Sequence, residues 1–325
     1  MLIVLILAAL LFDFLNGFND SASLVATAIS SRAMSPRRAL VLTAVSEFAG
    51  PFLFGVAVAN TVGKGLVDAA VITLPVVLAG VLSAIVWNRV TWFLAVPSSS
   101  SHALVGGLMG AVLLADGPGA IHLSGLMKIL LALFLAPPLA FAAGFALMRV
   151  ILLLAQNATP RVNDWFRDGQ TFTVIGLALS HGANDSQKTM GIITLGLVAS
   201  GTIPSFAVPL WVIVAAAGAI SLGTLLGGWR LIRTLGGRMF TIRPIHGFVA
   251  HIASASVVLT AALLGGPVST TQVISSSIMG VGAAERVSKV RWEVGQEMLQ
   301  AWVLTIPATA LAGAGMFWVM HRLGL

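Results

Sequence analysis

The feature of the sequence that most constrains its fold is a pair of polar motifs, each of which occurs twice inside apolar sequence. The run Gly-Phe-Asn-Asp-Ser at 17–21 returns as Gly-Ala-Asn-Asp-Ser at 182–186. The run Pro-Ser-Ser-Ser-Ser at 97–101 returns as Pro-Val-Ser-Thr-Thr at 267–271. The two offsets, 165 and 170 residues, are nearly equal, so one register relates both motifs. Polar groups are energetically costly in apolar surroundings, so their presence there indicates a structural or functional role.

The sequence around these motifs has the composition of an integral membrane protein. Hydrophobic residues make up 58% of the chain and charged residues only 9%, whereas about 25% of the residues in soluble domains are charged. Apolar stretches near the roughly 20 residues that a membrane span needs recur along the whole length. The chain has no cysteine, which excludes disulfides, thiol nucleophiles and thiolate metal sites.

Ten apolar segments can be distinguished, five in each half of the chain. Segments four and nine are short and follow the Pro-Ser/Thr runs, so each is expected to form a hairpin with the segment before it. The segments are roughly 1–30, 39–61, 70–96, 102–115, 126–155, 171–200, 207–227, 245–266, 272–283 and 299–320.

Five crossings per half is an odd number, so the second half is expected to be inverted relative to the first. The sequence predicts an all-α integral membrane protein of two inverted repeats, 1–155 and 171–325, joined by a polar cytoplasmic loop at 156–170. Segments one and six are expected to be broken at the Asn-Asp motifs, and the Pro-Ser/Thr runs are expected to form re-entrant-like tips. Inverted repeats with broken helices are typical of secondary transporters.

The basic residues of the loops favour this arrangement. With the N-terminus placed outside, the outer side holds Lys64, Lys128 and Arg322, and thirteen basic residues fall on the inner side. This asymmetry follows the positive-inside rule. It predicts a multi-pass protein of the cell membrane with both termini outside, and it argues against a nucleic-acid partner despite the net charge of +7. The inner set is Arg32, Arg37, Arg38, Arg149, Arg161, Arg167, Arg230, Arg233, Arg238, Arg243, Arg286, Lys289 and Arg291.

Each Asn-Asp motif follows a glycine closely, and glycine accepts backbone angles that other residues resist, which predicts an unwound turn. The carboxylates of Asp20 and Asp185 and the amide oxygens of Asn19 and Asn184 suit a proton or a small hard cation such as Na⁺. The alternative is that Asn and Asp only cap the start of a helix. Two copies in equivalent positions favour the functional interpretation.

Three more ionisable residues lie within apolar segments. Lys188 falls one helical turn after Asn184 and needs a partner, which Asp185 or a bound anion would supply. His181, four residues before Asp185, is a candidate proton carrier or a hydrogen-bonded packing residue. Glu47 is an acid inside segment two. Burial disfavours its charged form, which makes it a candidate proton carrier, and structural hydrogen bonding is the alternative.

The Pro-Ser/Thr runs combine hydroxyl donors with the start of a helix. Free backbone N–H groups and the helix dipole make such a start suited to an anion such as phosphate or sulfate. Helix capping and close packing by serine are the simpler explanations, but four hydroxyls in a row exceed either need. The predicted anion ligands are Ser98, Ser99, Ser100, Ser101, Ser269, Thr270, Thr271 and Gln272.

In their sequences and in their order along the chain, these motifs resemble those of the inorganic phosphate transporter family, PiT, and of its bacterial low-affinity permease branch. Residues 17–20 and 181–185 look like the two signature motifs of the family, and 97–102 and 267–272 look like its hairpin tips. Ser46-Glu47-Phe48 resembles the acidic position of its second helix. The resemblance implies cation-coupled symport of phosphate by alternating access, with the tips holding the anion and the Asn-Asp turns holding the cation.

One departure from the family pattern bears on the coupling ion. The run Ser-Gln-Lys-Thr-Met-Gly at 186–191 is similar to a bacterial branch regarded as proton-driven and able to carry metal-phosphate. The resemblance therefore favours H⁺ over Na⁺ as the coupling ion. It implies a transporter that needs no cofactor and that can form a homodimer. A sulfate permease of the same family is the alternative. A membrane-embedded enzyme is not expected, since the sequence has no metal-binding set such as His-Glu-x-x-His, and an ATP-driven pump is not expected, since a Gly-rich phosphate loop is also absent.

Overall fold

The computed structural model describes residues 1–67, 72–94, 98–227 and 242–324. Over these residues the chain is helical, and its β structure is limited to one isolated bridge between Val67 and Ile121. Pro97 of the first Pro-Ser run lies outside the described residues, as do three of the predicted inner basic residues, Arg230, Arg233 and Arg238.

The helices follow the predicted apolar segments, with two differences at their starts. Both α7 and α11 begin earlier than their apolar segments because the helix continues into polar first turns that hydropathy does not detect. Most of the stretch 156–170, predicted as a loop, is therefore helical. The described helices are α1 Leu2–Ser30, α2 Pro36–Phe54, α3 Ala57–Gly63, α4 Leu74–Phe93, α5 Ser100–Ala115, α6 Leu123–Leu154, α7 Val162–Ala199, α8 Leu210–Leu225, α9 Pro244–Leu263, α10 Thr270–Glu285 and α11 Trp292–Arg322.

Several of these helices have the length and composition of membrane spans. Five of them, α1, α4, α6, α9 and most of α11, are long and apolar enough to cross a bilayer, and α2 with α3 forms a sixth, bent candidate. Large apolar side chains face outward on them, among them Ile3, Leu154 and Leu311, which are each at least 73% exposed. Such outward apolar surface suits lipid rather than water.

Helices α1 and α7 pack against each other in opposite directions. Leu5 lies against Gly196, Asn16 binds Asp185, and, further along α1, Asp20 faces His181. Residue numbers therefore rise along one helix as they fall along the other, which makes the pair antiparallel. The two Asn-Asp motifs lie at the middle of this pair.

Neither of these helices is broken, so the interruptions predicted at the two Asn-Asp motifs are wrong. α1 and α7 run as continuous α-helices through 17–21 and 182–186. Their glycines serve close packing instead. A Cβ at Gly17 would overlap the backbone oxygen of Ile220 in α8, and a Cβ at Gly182 would overlap that of Glu47 in α2. Small residues permit this approach between membrane helices.

The break in a helix lies instead between α2 and α3, within the stretch predicted as the single segment 39–61. The two helices meet at 80°, and Gly55 takes a left-handed φ of +80° there. The Gln187 side chain of α7 satisfies the freed backbone groups. Its Oε1 accepts from the N–H groups of Val58 and Ala59 at 2.8 and 3.2 Å, and its Nε2 donates to Gly55 O at 2.6 Å.

The remaining helices form two hairpins with related surroundings. α4 packs on α5, and α9 packs on α10; α5 also packs on α11, and α10 on α6. The close approaches recur at related positions, since Gly110 of α5 lies against the backbone of Ala310 and Gly280 of α10 lies against that of Phe141. The start of α5 and the start of α10 are thereby directed at the α1–α7 pair.

Candidate functional site

The centre of the candidate site is the buried carboxylate of Asp185, on α7. Asn16 of α1 donates to its Oδ2 at 3.0 Å, and Thr270 at the start of α10 donates to its Oδ1 at 2.8 Å. Lys188, one turn later on α7, lies 3.0 Å from the same Oδ1. Asp185 is 1% exposed. Residues from three helices, one of them in a predicted tip, thus meet on one carboxylate.

His181 lies between three carboxyl groups. Its Nδ1 is 2.6 Å from Glu47 Oε1 on α2. Its Nε2 is 3.5 Å from Asp20 Oδ2 on α1 and 3.6 Å from Asp185 Oδ2. His181 and Glu47 are both fully buried. The imidazole therefore bridges the acidic residue of segment two and both Asn-Asp motifs, an arrangement suited to carrying a proton among them.

Lys188 has the partner that its position in the membrane requires. Besides the contact with Asp185, its Nζ donates to Ser101 Oγ at 2.5 Å and to Val268 O at 2.8 Å. Ser101 in turn donates to Val268 O at 2.8 Å. The ammonium thus contacts the first tip, the second tip and the second Asn-Asp motif together, and all three of its donors are used.

The second tip is fixed to both Asn-Asp motifs. Thr271 donates a short hydrogen bond to Asp20 Oδ1, as Thr270 does to Asp185. Asn184 holds the backbone of the tip, since its Nδ2 donates to Gly266 O at 3.0 Å and its Oδ1 accepts from Val268 N at 3.1 Å. The residues predicted to hold an anion and those predicted to hold a cation are therefore in direct contact.

The first tip has a more mixed set of contacts. Ser99 is the N-cap of α5 and accepts from His102 N at 3.2 Å, which is the capping role that the sequence left as an alternative. Ser98 lies 2.6 Å from the Thr91 hydroxyl. Gln272 lies 3.5 Å from the His102 ring. Ser100 and Ser269 occupy the helix starts, with Ser269 4% exposed.

Three contributors to the site were missed or left aside in the sequence reasoning. Asn16 lies one turn before Asp20 on the same face of α1, a spacing that would have identified it. Gln187 closes the α2–α3 bend, which the sequence did not predict. Arg89 was not assigned a role, yet it donates to Asn19 Oδ1 at 3.1 Å and stacks over Trp92 at 5.5 Å.

The site contains more acidic than basic side chains. Asp20, Glu47 and Asp185 face the ammonium of Lys188 and the imidazole of His181. Ligand atoms of Asp20, His181 and Asp185 lie within 4.8 Å of one another, so these three could also hold a cation. The nitrogen ligand among them suits a transition metal better than a hard alkali ion, which prefers oxygen.

Comparison with known proteins identifies the family of the chain. The model of the phosphate transporter family matches residues 16–313, which includes both Asn-Asp motifs and both tips. The chain belongs to the phosphate transporter family. It is therefore a multi-pass membrane protein of a transport family, not an enzyme, and inorganic phosphate is the substrate of that family.

Individual relatives cover nearly the whole chain. A protein of Bacillus subtilis named "Probable low-affinity inorganic phosphate transporter" is 42% identical over 325 residues, 99% of this chain and 97% of its own. A protein of the same name from Rhizobium meliloti is 43% identical over 97% of this chain and 95% of its own. A solved structure titled "The sodium-dependent phosphate transporter" superposes with a TM-score of 0.91 at 24% identity, covering 99% of both chains, and confirms the all-α fold.

Proposed function

We propose that this protein is a secondary active symporter of inorganic phosphate that couples uptake to protons by alternating access. Membership of the phosphate transporter family and the names of the bacterial relatives support phosphate as its substrate. The chemistry of the central site supports the coupling. The carrier would expose that site to one side of the membrane at a time, with both termini outside.

The observation that carries this proposal is the direct bonding of the second tip to two carboxylates. Thr270 and Thr271 donate their hydroxyls to Asp185 and Asp20. A hydroxyl has one proton to donate, so it cannot serve a carboxylate and a phosphate oxygen at once. Phosphate is also repelled by the carboxylates themselves. An anion can therefore bind at this tip only when something neutralises Asp20 and Asp185.

A cation on these carboxylates would make the tip available. Once Asp20 or Asp185 is protonated, it no longer attracts the threonine proton, and the hydroxyl can turn to a phosphate oxygen. The start of α10 and the Lys188 ammonium, which already contacts the tip, would add favourable charge. Cation and anion thus bind together or not at all, which is the thermodynamic requirement for symport.

His181 favours the proton over sodium as the coupling cation. Its ring nitrogens face Glu47 on one side and Asp20 and Asp185 on the other. Sodium would be better served by oxygen ligands alone, whereas a proton can be exchanged between imidazole and carboxylate. The sodium-dependent relative of known structure keeps sodium as the alternative, with Asn19, Asp20, Asn184 and Asp185 supplying oxygens.

Related packing in the two halves supports two inverted repeats, 1–155 and 171–325. Gly17 approaches α8 as Gly182 approaches α2. The antiparallel course of α1 and α7 is the relation that inversion would produce. Such a pair of repeats would give the carrier two states of similar energy, related by rocking about a shared central site.

The proposal is tested with the full chain reconstituted in liposomes. We expect labelled phosphate to accumulate under an acid-outside pH gradient, and a sodium gradient at equal pH to add little. Absence of phosphate uptake under either gradient would refute the proposed function, and sodium dependence without a pH response would refute the proton. Equal uptake of sulfate would identify a sulfate permease, and strict dependence on Mg²⁺ would identify metal-phosphate as the transported species.

A separate variant tests whether the central carboxylates couple transport to the proton gradient. Asp20→Asn is expected to abolish gradient-driven uptake, since the amide cannot bind a proton. Asp116→Asn, at an exposed carboxylate beyond the end of α5, is the matched control and should transport normally. Unchanged gradient-driven uptake by Asp20→Asn would remove Asp20 from the coupling mechanism.

A further inference from the structure

A second ionisable group of α1 lies deeper in the α1–α7 contact and has no part in the mechanism above. Asp13 is 0% exposed. Neither of its carboxyl oxygens has a hydrogen-bond partner among the described residues. The Thr189 hydroxyl of α7 faces this carboxyl, and it is also buried and without a hydrogen bond of normal geometry. Two orphaned polar groups thus face each other inside the protein.

The position of Asp13 follows from the antiparallel register of the two helices. Asp20 faces His181, and one turn back along α1 Asn16 binds Asp185. One further turn back is Asp13, opposite Thr189. The carboxyl therefore forms the next layer of the same polar contact, one turn of α1 before Asn16.

The surroundings of Asp13 offer no free cation among the described residues. From α7 it is near Asp185, Lys188 and His181, but the three donors of Lys188 already serve Asp185, Ser101 and Val268. The imidazole of His181 is directed at Glu47 and at the Asn-Asp carboxylates.

The other helices that pack on α1 do not supply a cation either. The sequence of α8, 210–225, contains no ionisable residue. Arg89 of α4 is turned to Asn19. Glu47 of α2 binds His181, Glu285 lies at the far end of α10, and His251 of α9 binds Thr27. With respect to the described residues, an ionised Asp13 would be a buried charge without a hydrogen-bonded counter-ion, which is strongly unfavourable.

We propose that Asp13 and Thr189 form a second proton-binding site, in which the protonated Asp13 carboxyl donates a hydrogen bond to Thr189 Oγ1. This inference rests on the proposed proton symport. Asp13 would carry one of the protons that are transported in each cycle. A proton held there removes the uncompensated charge and satisfies both orphaned groups. The proton is released when the approach of α1 and α7 changes and admits water or the Lys188 ammonium to the carboxylate.

The test is the ratio of protons to phosphate, measured in liposomes from the membrane potential at which net flux reverses. Asp13→Asn keeps the size of the side chain and the donor to Thr189, so it is expected to fold and to exchange phosphate for phosphate. Its proton-to-phosphate ratio should be one lower than that of the wild type. Each proton contributes a factor of ten per pH unit to accumulation, so steady-state phosphate should fall about tenfold at a one-unit gradient.

An unchanged ratio in Asp13→Asn would overturn the proposal and give Asp13 a permanently neutral, structural role. Absence of proton-driven uptake in the wild type would instead refute the proposed function. If Asp13→Asn does not fold, infrared spectroscopy of the wild type should show the carbonyl band of a buried carboxylic acid that shifts in Thr189→Val and that loses intensity while phosphate is being transported. A band that does not shift, or one whose intensity stays constant during transport, would equally overturn the proposal.

Discussion

Replacing Lys188 tests whether the buried ion pair at the centre of the site is held together by charge. In Lys188→Met the hydrogen bonds from Nζ to Asp185, Ser101 and Val268 are all lost. Asp185 then remains buried with hydrogen bonds from the neutral Asn16 and Thr270, and its remaining basic neighbour, His181 at 3.6 Å, also faces two other carboxyl groups. Breaking a buried pair by removing one partner typically costs 3–5 kcal/mol because the remaining charge is uncompensated. We expect a loss of about 4 kcal/mol in the free energy of unfolding.

The double variant separates charge from packing. Asp185→Asn with Lys188→Met removes both members of the buried pair and leaves no carboxylate at position 185, so we expect it to be more stable than Lys188→Met alone, by about 2 kcal/mol or more. Neither variant should transport phosphate under a gradient. Unfolding in detergent can be followed by the fluorescence of the chain's eight tryptophans.

The same helix supplies a matched control. Arg167 and Asp164 form an ion pair of the same i,i+3 spacing at 3.1 Å, but their side chains are 47% and 61% exposed. Exposed pairs contribute about 0–1 kcal/mol, so Asp164→Asn should change little. If Lys188→Met were no more destabilising than Asp164→Asn, or if the double variant were the least stable of all, the charge argument would be refuted.

Two further substitutions test particular hydrogen bonds. Thr271→Val removes one hydrogen-bond donor from the second tip without changing the shape of the side chain. Because a hydrogen bond to a charged group contributes about 1.5–3 kcal/mol, the KM for phosphate should rise at least tenfold. The control, Thr202→Val at an exposed turn, should leave the KM unchanged. Gln187→Leu removes the amide that hydrogen-bonds the free backbone groups at the α2–α3 bend. Since unpaired buried polar groups cost about 1–3 kcal/mol each, the free energy of unfolding should fall by at least about 2 kcal/mol. A wild-type KM in the first, or a wild-type unfolding transition in the second, would contradict these roles.

The importance of these contacts could be foreseen in part from sequence. A lysine, a histidine and three acids inside apolar helices are costly, so their presence in the sequence is enough to indicate a functional centre. Asp185 was one of two partners expected for Lys188, a bound anion being the other, and the structure places the Lys188 ammonium 3.0 Å from Asp185 Oδ1. Glu47 and His181 were each singled out, but 134 residues separate them, and no local pattern relates them.

Helix breaking was misjudged for a physical reason. Glycine has two uses, conformational freedom and the absence of a side chain, and the sequence around Gly17 and Gly182 does not distinguish them. The neighbours do, because the backbones of Ile220 and Glu47 occupy the space that a Cβ would need. The actual break at Gly55 is stabilised by Gln187, which lies 132 residues away.

The sequence by itself determined that this chain is an all-α membrane protein with two related polar centres, because hydropathy and motif recurrence are local properties. It also predicted anion chemistry for the tips and cation chemistry for the Asn-Asp motifs. Only the tertiary structure showed that residues of both contact the same carboxylates. The antiparallel register of α1 and α7 brings Asn16 to Asp185 and Asp20 to His181, and packing of α10 brings Thr270 and Thr271 onto those carboxylates. Such contacts depend on helix packing in three dimensions, which residue spacing along one chain does not specify.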